Sequence, residues 1–156
     1  MRIPFTKMHG IGNDYVYVNA FDTELADPAA IARRVSPRRT GIGSDGLILI
    51  APSSVADVRM EMYNADGSRG EMCGNGIRCV AKFAYEHGLT RQPELRVETD
   101  AGVKTLRLEV RGGRVERVTV DMGRPDLSPT ALPIASEAQL VDAPFSVGGQ
   151  DLRITC

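Results

Sequence analysis

The chain has 156 residues, which fits one ordinary domain or one domain and part of another. It carries 19 basic and 20 acidic residues, for a net charge of −1, so it lacks the basic excess that is typical of nucleic-acid-binding and membrane-surface proteins. No stretch approaches the ~18 consecutive apolar residues of a membrane span, and the N-terminal segment lacks the apolar core of a signal peptide. We therefore expect a cytoplasmic protein with no nucleic-acid or membrane partner.

Short strands are predicted in the first half of the chain. Residues 3–5 and 15–18 have strand patterns, and the glycine-rich segment HGIGND is predicted to be a loop between them. The stretch GLILIAP is continuously apolar, which indicates a buried strand. The stretch VRMEMYN alternates apolar and polar residues, as a half-exposed strand does.

Two helices are predicted. The first begins at Pro28, with Asp27 as its N-cap, and runs to about Val35. The second covers residues 73–87 and ends at Gly88, which is a typical C-terminal cap. Because this second helix is apolar on much of its circumference, we expect a central helix enclosed by a sheet.

The rest of the chain predicts more strands. ELRVET, KTLRLEV and RVTVDM alternate in the strand pattern, and the proline-rich stretch GRPDLSPTALPI predicts irregular structure near a domain boundary. The last stretch, QDLRITC, is again a strand pattern. A sequence that stops in mid-strand favours a piece of a longer protein.

Three cysteines, an odd number, favour reduced thiols over a disulfide framework. If Cys73 and Cys79 share one helix, they are separated by roughly 9 Å along its axis and by about 240° around it. They can then neither form a disulfide nor bind one zinc ion together, so we expect no metal site. Cys79 and Cys156 lie in apolar-periodic surroundings and are predicted to be structural.

The segment GIGSDG, Gly41 to Gly46, formally matches the dinucleotide fingerprint G-x-G-x-x-G. The fingerprint needs a strand before it and a helix after it, whereas here an apolar strand follows. We interpret the segment as a glycine-containing turn that lets the backbone pass close to a neighbour.

The segment MCGNG lies where the second helix begins. The first N–H groups of a helix have no partner within the helix and carry the positive end of its dipole. The N–H groups of Gly74, Asn75 and Gly76 could therefore bind an anion such as a carboxylate, and the same field favours thiolate over thiol at Cys73. Such a thiolate could remove a proton from the carbon next to the carboxylate. The residues alone equally allow a buried cysteine at an ordinary helix start.

Other functions are weighed against proton transfer. A cysteine hydrolase needs a histidine base; His87 lies roughly 21 Å along the same helix, which leaves only His9. A pyridoxal-phosphate racemase needs a Schiff-base lysine beside a phosphate site, and Lys7, Lys82 and Lys104 have no such setting, so no cofactor is expected. A non-catalytic module that merely binds a carboxylate remains possible; titration of the thiol would separate it from an enzyme.

Four motifs together resemble the N-terminal half of diaminopimelate epimerase: MHGIGNDYVYV, GIGSDGLILI, MYNADGS and EMCGNGIRCVAKF, within residues 3–122. The related proline racemases and phenazine-pathway isomerases carry histidine after the Cys-Gly pair, so Asn75 favours the diaminopimelate branch over these alternatives. The resemblance implies an α+β fold, in which a strongly bent, barrel-like mixed or antiparallel sheet wraps around a central helix. It also implies a first domain of residues 1–117 and the beginning of a second, pseudo-symmetric domain in residues 118–156.

The resemblance implies an isomerase that interconverts LL- and meso-2,6-diaminopimelate without a cofactor, on the route to lysine and cell-wall precursors. Cys73 would be one of two opposed catalytic cysteines, one acting as thiolate and the other as thiol. Asn13 and Asn64 would bind the substrate, and Gly74 and Asn75 would donate backbone hydrogen bonds to its reacting carboxylate. Asparagines are also common turn formers, which is the simpler interpretation of Asn13 and Asn64.

Two features depart from the family pattern. Some members carry glutamine at the position of Gly46. The family enzyme is also much longer, forms a homodimer, and takes its second cysteine from its other half; Cys156 does not lie in a comparable helix start. We therefore expect this chain to supply one half of the site and to have negligible epimerase activity alone.

Overall fold

One mixed sheet forms the framework of the first of two compact units, Met1–Met122. The computed structural model describes residues 2–126, 128–131, 135–136 and 138–156. The eight strands of this sheet are β1 (Thr6–Gly10), β2 (Asn13–Asn19), β3 (Gly46–Ala51), β4 (Val58–Asn64), β5 (Arg69–Gly70), β6 (Glu94–Thr99), β7 (Gly102–Arg111) and β8 (Arg114–Val120). They are ordered β1-β2-β3-β4-β6-β7-β8, with β5 paired to β4. The β2–β3 and β4–β6 pairs are parallel and the others are antiparallel.

Two α-helices lie in the first unit, where the sequence predicts them. Helix α1 (Pro28–Val35) begins after Asp27, whose side chain accepts a hydrogen bond from the N–H of Ala30 at 2.9 Å. Helix α2 (Gly74–Glu86) has Cys73 as its N-cap. Gly88, with φ of 76°, follows its C-terminal end in the left-handed conformation that favours glycine.

The two helices cover opposite faces of the central strands. On one face, Tyr17 and Ile48 pack with Val80 of α2 in the larger core cluster. On the other face, Val16 and Leu47 pack in a second cluster with Ala32 of α1. Strand β3 is apolar at successive positions because both of its faces are buried. These findings confirm the predicted fold class, a bent mixed sheet around a central helix.

The prediction of a strand at residues 3–5 and a loop at HGIGND is wrong. Strand β1 begins at Thr6 and pairs with β2 down to Gly10, which lies opposite Asn13. A two-residue turn suffices because Ile11 and Gly12 both have positive φ, 54° and 81°, which matches the twist of a tight hairpin. Most of the glycine-rich segment is therefore strand, and Asn13 is held in a hydrogen-bonded ladder.

The second unit, Gly123–Cys156, contains a 3₁₀ turn (Pro129–Ala131) and a hairpin of β9 (Ala143–Val147) and β10 (Gln150–Ile154). The hairpin confirms the strand predicted near the last residues. Parts of the proline-rich stretch, residues 127 and 132–134, lie outside the described residues. No helix in the described part of the chain has the length and apolarity needed to cross a lipid bilayer.

Candidate active site

Cys73 lies at the N-terminus of α2. Its backbone is extended, with φ of −130° and ψ of 113°, and its Sγ accepts a hydrogen bond from the N–H of Gly76 at 3.3 Å. Ile77 N–H donates to the Cys73 carbonyl oxygen at 2.8 Å. The N–H groups of Gly74 and Asn75 therefore lie in the first turn of α2 without a carbonyl acceptor within the helix, at the positive end of the helix dipole. This is the geometry that can bind a carboxylate beside a thiol.

Glycines let neighbouring strands approach this helix start closely. A Cβ at Gly76 would lie 2.7 Å from Ile48 Cδ1, so the helix packs directly against β3. A Cβ at Gly10 would lie 2.8 Å from the carbonyl oxygen of Asn75, so β1 also passes against the first turn. Gly74 differs, because its Cβ would meet only Met122 at an ordinary contact distance of 3.8 Å.

Asn13 is the predicted site residue that the structure brings to the thiol. The Cys73 Sγ donates a hydrogen bond to Asn13 Oδ1 at 3.2 Å. Asn13 is the first residue of β2, and its Nδ2 donates to Asp45 Oδ2 at 2.7 Å. Two segments that are 60 residues apart in the sequence therefore meet at the start of α2.

Asn64 and Asn75 make local hydrogen bonds. Asn64 is the last residue of β4, opposite Gly46, and its Nδ2 donates to Ser68 Oγ at 2.9 Å. Asn75 Oδ1 accepts from the guanidinium of Arg78 at 2.5 Å. These contacts show a turn role for Asn64 and a helix-surface role for the Asn75 side chain. Their predicted contacts with substrate remain predictions.

A charged network that the sequence analysis missed supports Asn13. Asp45 Oδ2, which accepts from Asn13, also accepts a hydrogen bond from the backbone N–H of Asp14 at 2.9 Å. The other carboxylate oxygen, Asp45 Oδ1, accepts from Arg38 at 2.9 Å. Asp14 forms two ion pairs: its Oδ1 lies 2.7 Å from Arg38 Nη2, and its Oδ2 lies 2.6 Å from Lys7 Nζ. Hydrogen bonding to Arg38 lowers the pKa of Asp14 far below its usual value.

Tyr15 is a second residue near the site that the sequence did not predict as functional. It is 4% exposed, and burial, followed by the neighbouring Cys73, raises its pKa to about 12, so the phenol keeps its proton at neutral pH. Its ring occupies the space beside Gly46, where a Cβ would lie 3.0 Å from Tyr15 Cε1 and 2.1 Å from the carbonyl oxygen of Tyr63. The glutamine expected in some relatives at this position therefore does not fit the backbone of this chain.

The other two cysteines have different settings. Cys79 is 6% exposed within the core around α2, and burial raises the pKa of its thiol. Cys156 belongs to the second unit. Cys73, Cys79 and Cys156 are all free thiols in the structure. Within the described residues, no group of His, Cys, Asp and Glu side chains is placed to hold a metal ion.

Comparison with known proteins decides the family. The family model described as diaminopimelate epimerase matches residues 5–128. The chain belongs to the diaminopimelate epimerase family. A diaminopimelate epimerase of Agathobacter rectalis is 53% identical over 97% of this chain and 56% of that protein, and one of Desulfovibrio desulfuricans is 51% identical over 99% and 56%. The chain thus spans about half the length of the curated relatives that it matches.

The fold of this chain also resembles solved structures whose sequences are much less similar to it. The crystal structure of a hydroxyproline epimerase from Agrobacterium vitis matches with a TM-score of 0.60 at 18% identity, over 96% of this chain and 46% of that one. At this identity the likeness shows a shared fold. This chain therefore shares its fold with about half of a protein that is named as a different epimerase.

Proposed function

We propose that this chain supplies one half of the active site of an epimerase that interconverts LL- and meso-2,6-diaminopimelate without a cofactor. The observation that carries the proposal is the setting of Cys73. Its sulfur lies at a helix N-terminus, within hydrogen-bonding distance of Gly76 N–H and of the Asn13 side chain, in a chain that belongs to the diaminopimelate epimerase family.

The proposed reaction is a proton transfer at the α-carbon. As a thiolate, Cys73 takes the α-proton, so the C–H bond breaks while an S–H bond forms. A second cysteine thiol then gives its proton to the opposite face of the same carbon, which restores a C–H bond with inverted configuration. In the reverse direction, Cys73 is the thiol that donates.

The first turn of α2 would stabilise the charge that develops during this transfer. The N–H groups of Gly74 and Asn75 would hold the reacting carboxylate, which takes up negative charge as the α-proton leaves. Asn13 and Asn64 would bind the substrate, particularly its non-reacting amino-acid end. Fixed donors are effective here because they are already oriented before charge develops.

The proposal places the second reacting thiol in the half of the family protein that these 156 residues do not cover. The first domain would then be residues 1–117, with residues 118–156 beginning its pseudo-symmetric partner. Cys79 does not fit the second role because it is buried on the same helix as Cys73. A homodimer in the cytoplasm is proposed for the complete enzyme.

A pair of proteins tests the proposal. The 156-residue chain alone is expected to convert no LL-diaminopimelate to the meso form. The same chain joined to the remaining portion of the Agathobacter rectalis relative is expected to convert it, as followed by chiral chromatography. Conversion by the chain alone would contradict the proposed division of the site.

The joined protein also separates the alternatives. A carboxylate-binding module would bind diaminopimelate in calorimetry but leave its configuration unchanged. A proline-racemase-type enzyme would instead racemise L-proline and leave LL-diaminopimelate unchanged. Either result, with a correctly folded joined protein, would refute the proposed function.

A further inference from the structure

We propose that Asp45 is a positioning residue that fixes the amide orientation of Asn13, so that the carbonyl oxygen of this amide, and not its nitrogen, meets Cys73. The proposal deepens the proposed function, since its importance for catalysis depends on proton transfer at Cys73. Asp45 itself does not contact the sulfur. It would act through Asn13.

The orientation follows from the chemistry of the two partners. An ionised carboxylate only accepts hydrogen bonds, so the atom of Asn13 that lies 2.7 Å from Asp45 Oδ2 must be the Nδ2 donor. Turning the amide over would place its oxygen against the carboxylate and replace an attraction by a repulsion. The remaining amide atom, Oδ1, then faces Cys73 Sγ at 3.2 Å.

Asp45 is held independently of the thiol. Its N–H donates to the Asp14 carbonyl oxygen at 2.7 Å, and its Oδ2 accepts from the Asp14 N–H at 2.9 Å. Its Oδ1 accepts from Arg38 at 2.9 Å. These bonds continue the parallel pairing of β2 with β3, in which Tyr15 lies opposite Gly46. The fold, and not the sulfur, therefore sets the position of this carboxylate.

The amide orientation decides which form of the sulfur it can bind. An oxygen accepts from S–H, so the observed orientation presents Cys73 as a proton donor, whereas an N–H would bind a thiolate. Gly76 N–H and the helix dipole act in the opposite direction and favour the thiolate. Removing the constraint at Asp45 should shift this balance towards the reactive thiolate.

Alkylation of Cys73 in the 156-residue chain tests the proposal. The rate with iodoacetamide at neutral pH is measured by peptide mass spectrometry, which separates Cys73 from Cys79 and Cys156. Asp45→Ala, which removes the acceptor that fixes the amide orientation, is expected to raise the Cys73 rate about fivefold, the factor that corresponds to one ordinary hydrogen bond. Asn13→Ala is expected to raise the rate similarly, and the double variant should show no further increase.

Asp14→Asn is the matched control. It removes a carboxylate from the same charged network but leaves the bond between Asp45 and Asn13 in place, so its Cys73 rate should stay within about twofold of the wild type. An equal increase in this control would mean that loss of negative charge explains the effect. That result would overturn the proposal. An unchanged rate in folded Asp45→Ala, or fully additive effects in the double variant, would also overturn it.

A measurement on the unsubstituted chain tests the proposal even if Asp45→Ala does not fold. The side-chain amide protons of Asn13 should exchange with solvent slowly in NMR spectra, because Nδ2 donates to Asp45. Exchange at the rate of a free amide would overturn the proposal. Alkylation and amide exchange require no turnover. Failure of the epimerase assay would therefore refute the proposed function and leave these results standing. Failure of the alkylation or exchange test would overturn the proposal for Asp45 and leave the proposed function standing.

Discussion

Alanine at Gly74 should stabilise the fold and damage the site. Gly74 and Gly76 both lie in the first turn of α2, and alanine is favoured over glycine in a helix by up to about 1 kcal/mol. At Gly74 the new Cβ meets only Met122 at 3.8 Å, so the gain is not offset by a clash. We expect Gly74→Ala to raise the free energy of unfolding by about 0.5–1 kcal/mol.

Gly76→Ala serves as the matched comparison. The same helix propensity applies, but its Cβ would lie 2.7 Å from Ile48 Cδ1 and 3.3 Å from Met60 Cε, both in the packed core. The two contacting atoms are ends of side chains, but Ile48 and Met60 are 0% and 2% exposed, so the core leaves them little room to move. Overpacking of this kind costs about 1–3 kcal/mol, which exceeds the helical gain. The two alanine variants should therefore differ in sign. Urea unfolding of the 156-residue chain measures both values.

The activity of Gly74→Ala should fall although its stability rises. In the joined protein a β-carbon at this position would stand where the carboxylate is proposed to approach, and a displacement of about 1 Å can cost on the order of 100-fold in rate. LL-to-meso conversion measures this loss. Wild-type turnover in a stabilised Gly74→Ala variant would refute the proposed carboxylate site, and a destabilised variant would refute the packing argument.

Three further predictions concern stability. Ile11→Asn should raise the free energy of unfolding by about 1 kcal/mol, as measured in urea. The reason is that Ile11 is 86% exposed and has a φ of 54°, which asparagine tolerates better than isoleucine. Unchanged stability would contradict this. Gly46→Gln should destabilise it by at least about 2 kcal/mol, because its Cβ would lie 2.1 Å from the Tyr63 carbonyl oxygen; a native-like melting temperature would show that the backbone yields. Arg38 lowers the pKa of Asp14, so this carboxylate stabilises the fold above its unfolded pKa of about 3.9, and that contribution is lost as the pH falls. Asp14→Asn should thus cost about 0.5–1 kcal/mol at neutral pH, and the difference from wild type should shrink below about pH 4; a pH-independent difference would contradict the ion-pair explanation.

The elements nearest the proposed site were predictable where local chemistry dominates. Asp27 and Pro28 mark the start of α1, and the CGNG segment marks the start of α2, because N-caps and glycines act within a few residues. The apolar run of β3 was predicted as a buried strand for the same reason. The segment around Thr6 to Gly10 was not, because its few apolar residues give a weak strand pattern and pairing with β2 decides its structure.

The support of Asn13 could not be predicted in the same way. Asp45 comes from a turn that the sequence marks only as glycine-rich, and its contact with Asn13 depends on the parallel register of β2 and β3. The sequence placed Tyr15 in a strand but did not indicate which residues its side chain contacts. Only its packing beside Gly46 shows how near it lies to the site. Polar residues at the adjacent ends of two strands were the available signal.

Solvent deuterium incorporation at the α-carbon of diaminopimelate tests the role of Cys73 most directly. In the joined protein, Cys73→Ala should reduce incorporation during conversion by about 10²–10⁴-fold, the range for loss of a general acid or base. Cys79→Ala should retain most incorporation per folded molecule, because this thiol is buried in the core. Equal losses in both folded variants, or conversion with full incorporation in the Cys73→Ala variant, would contradict the proposed role of Cys73.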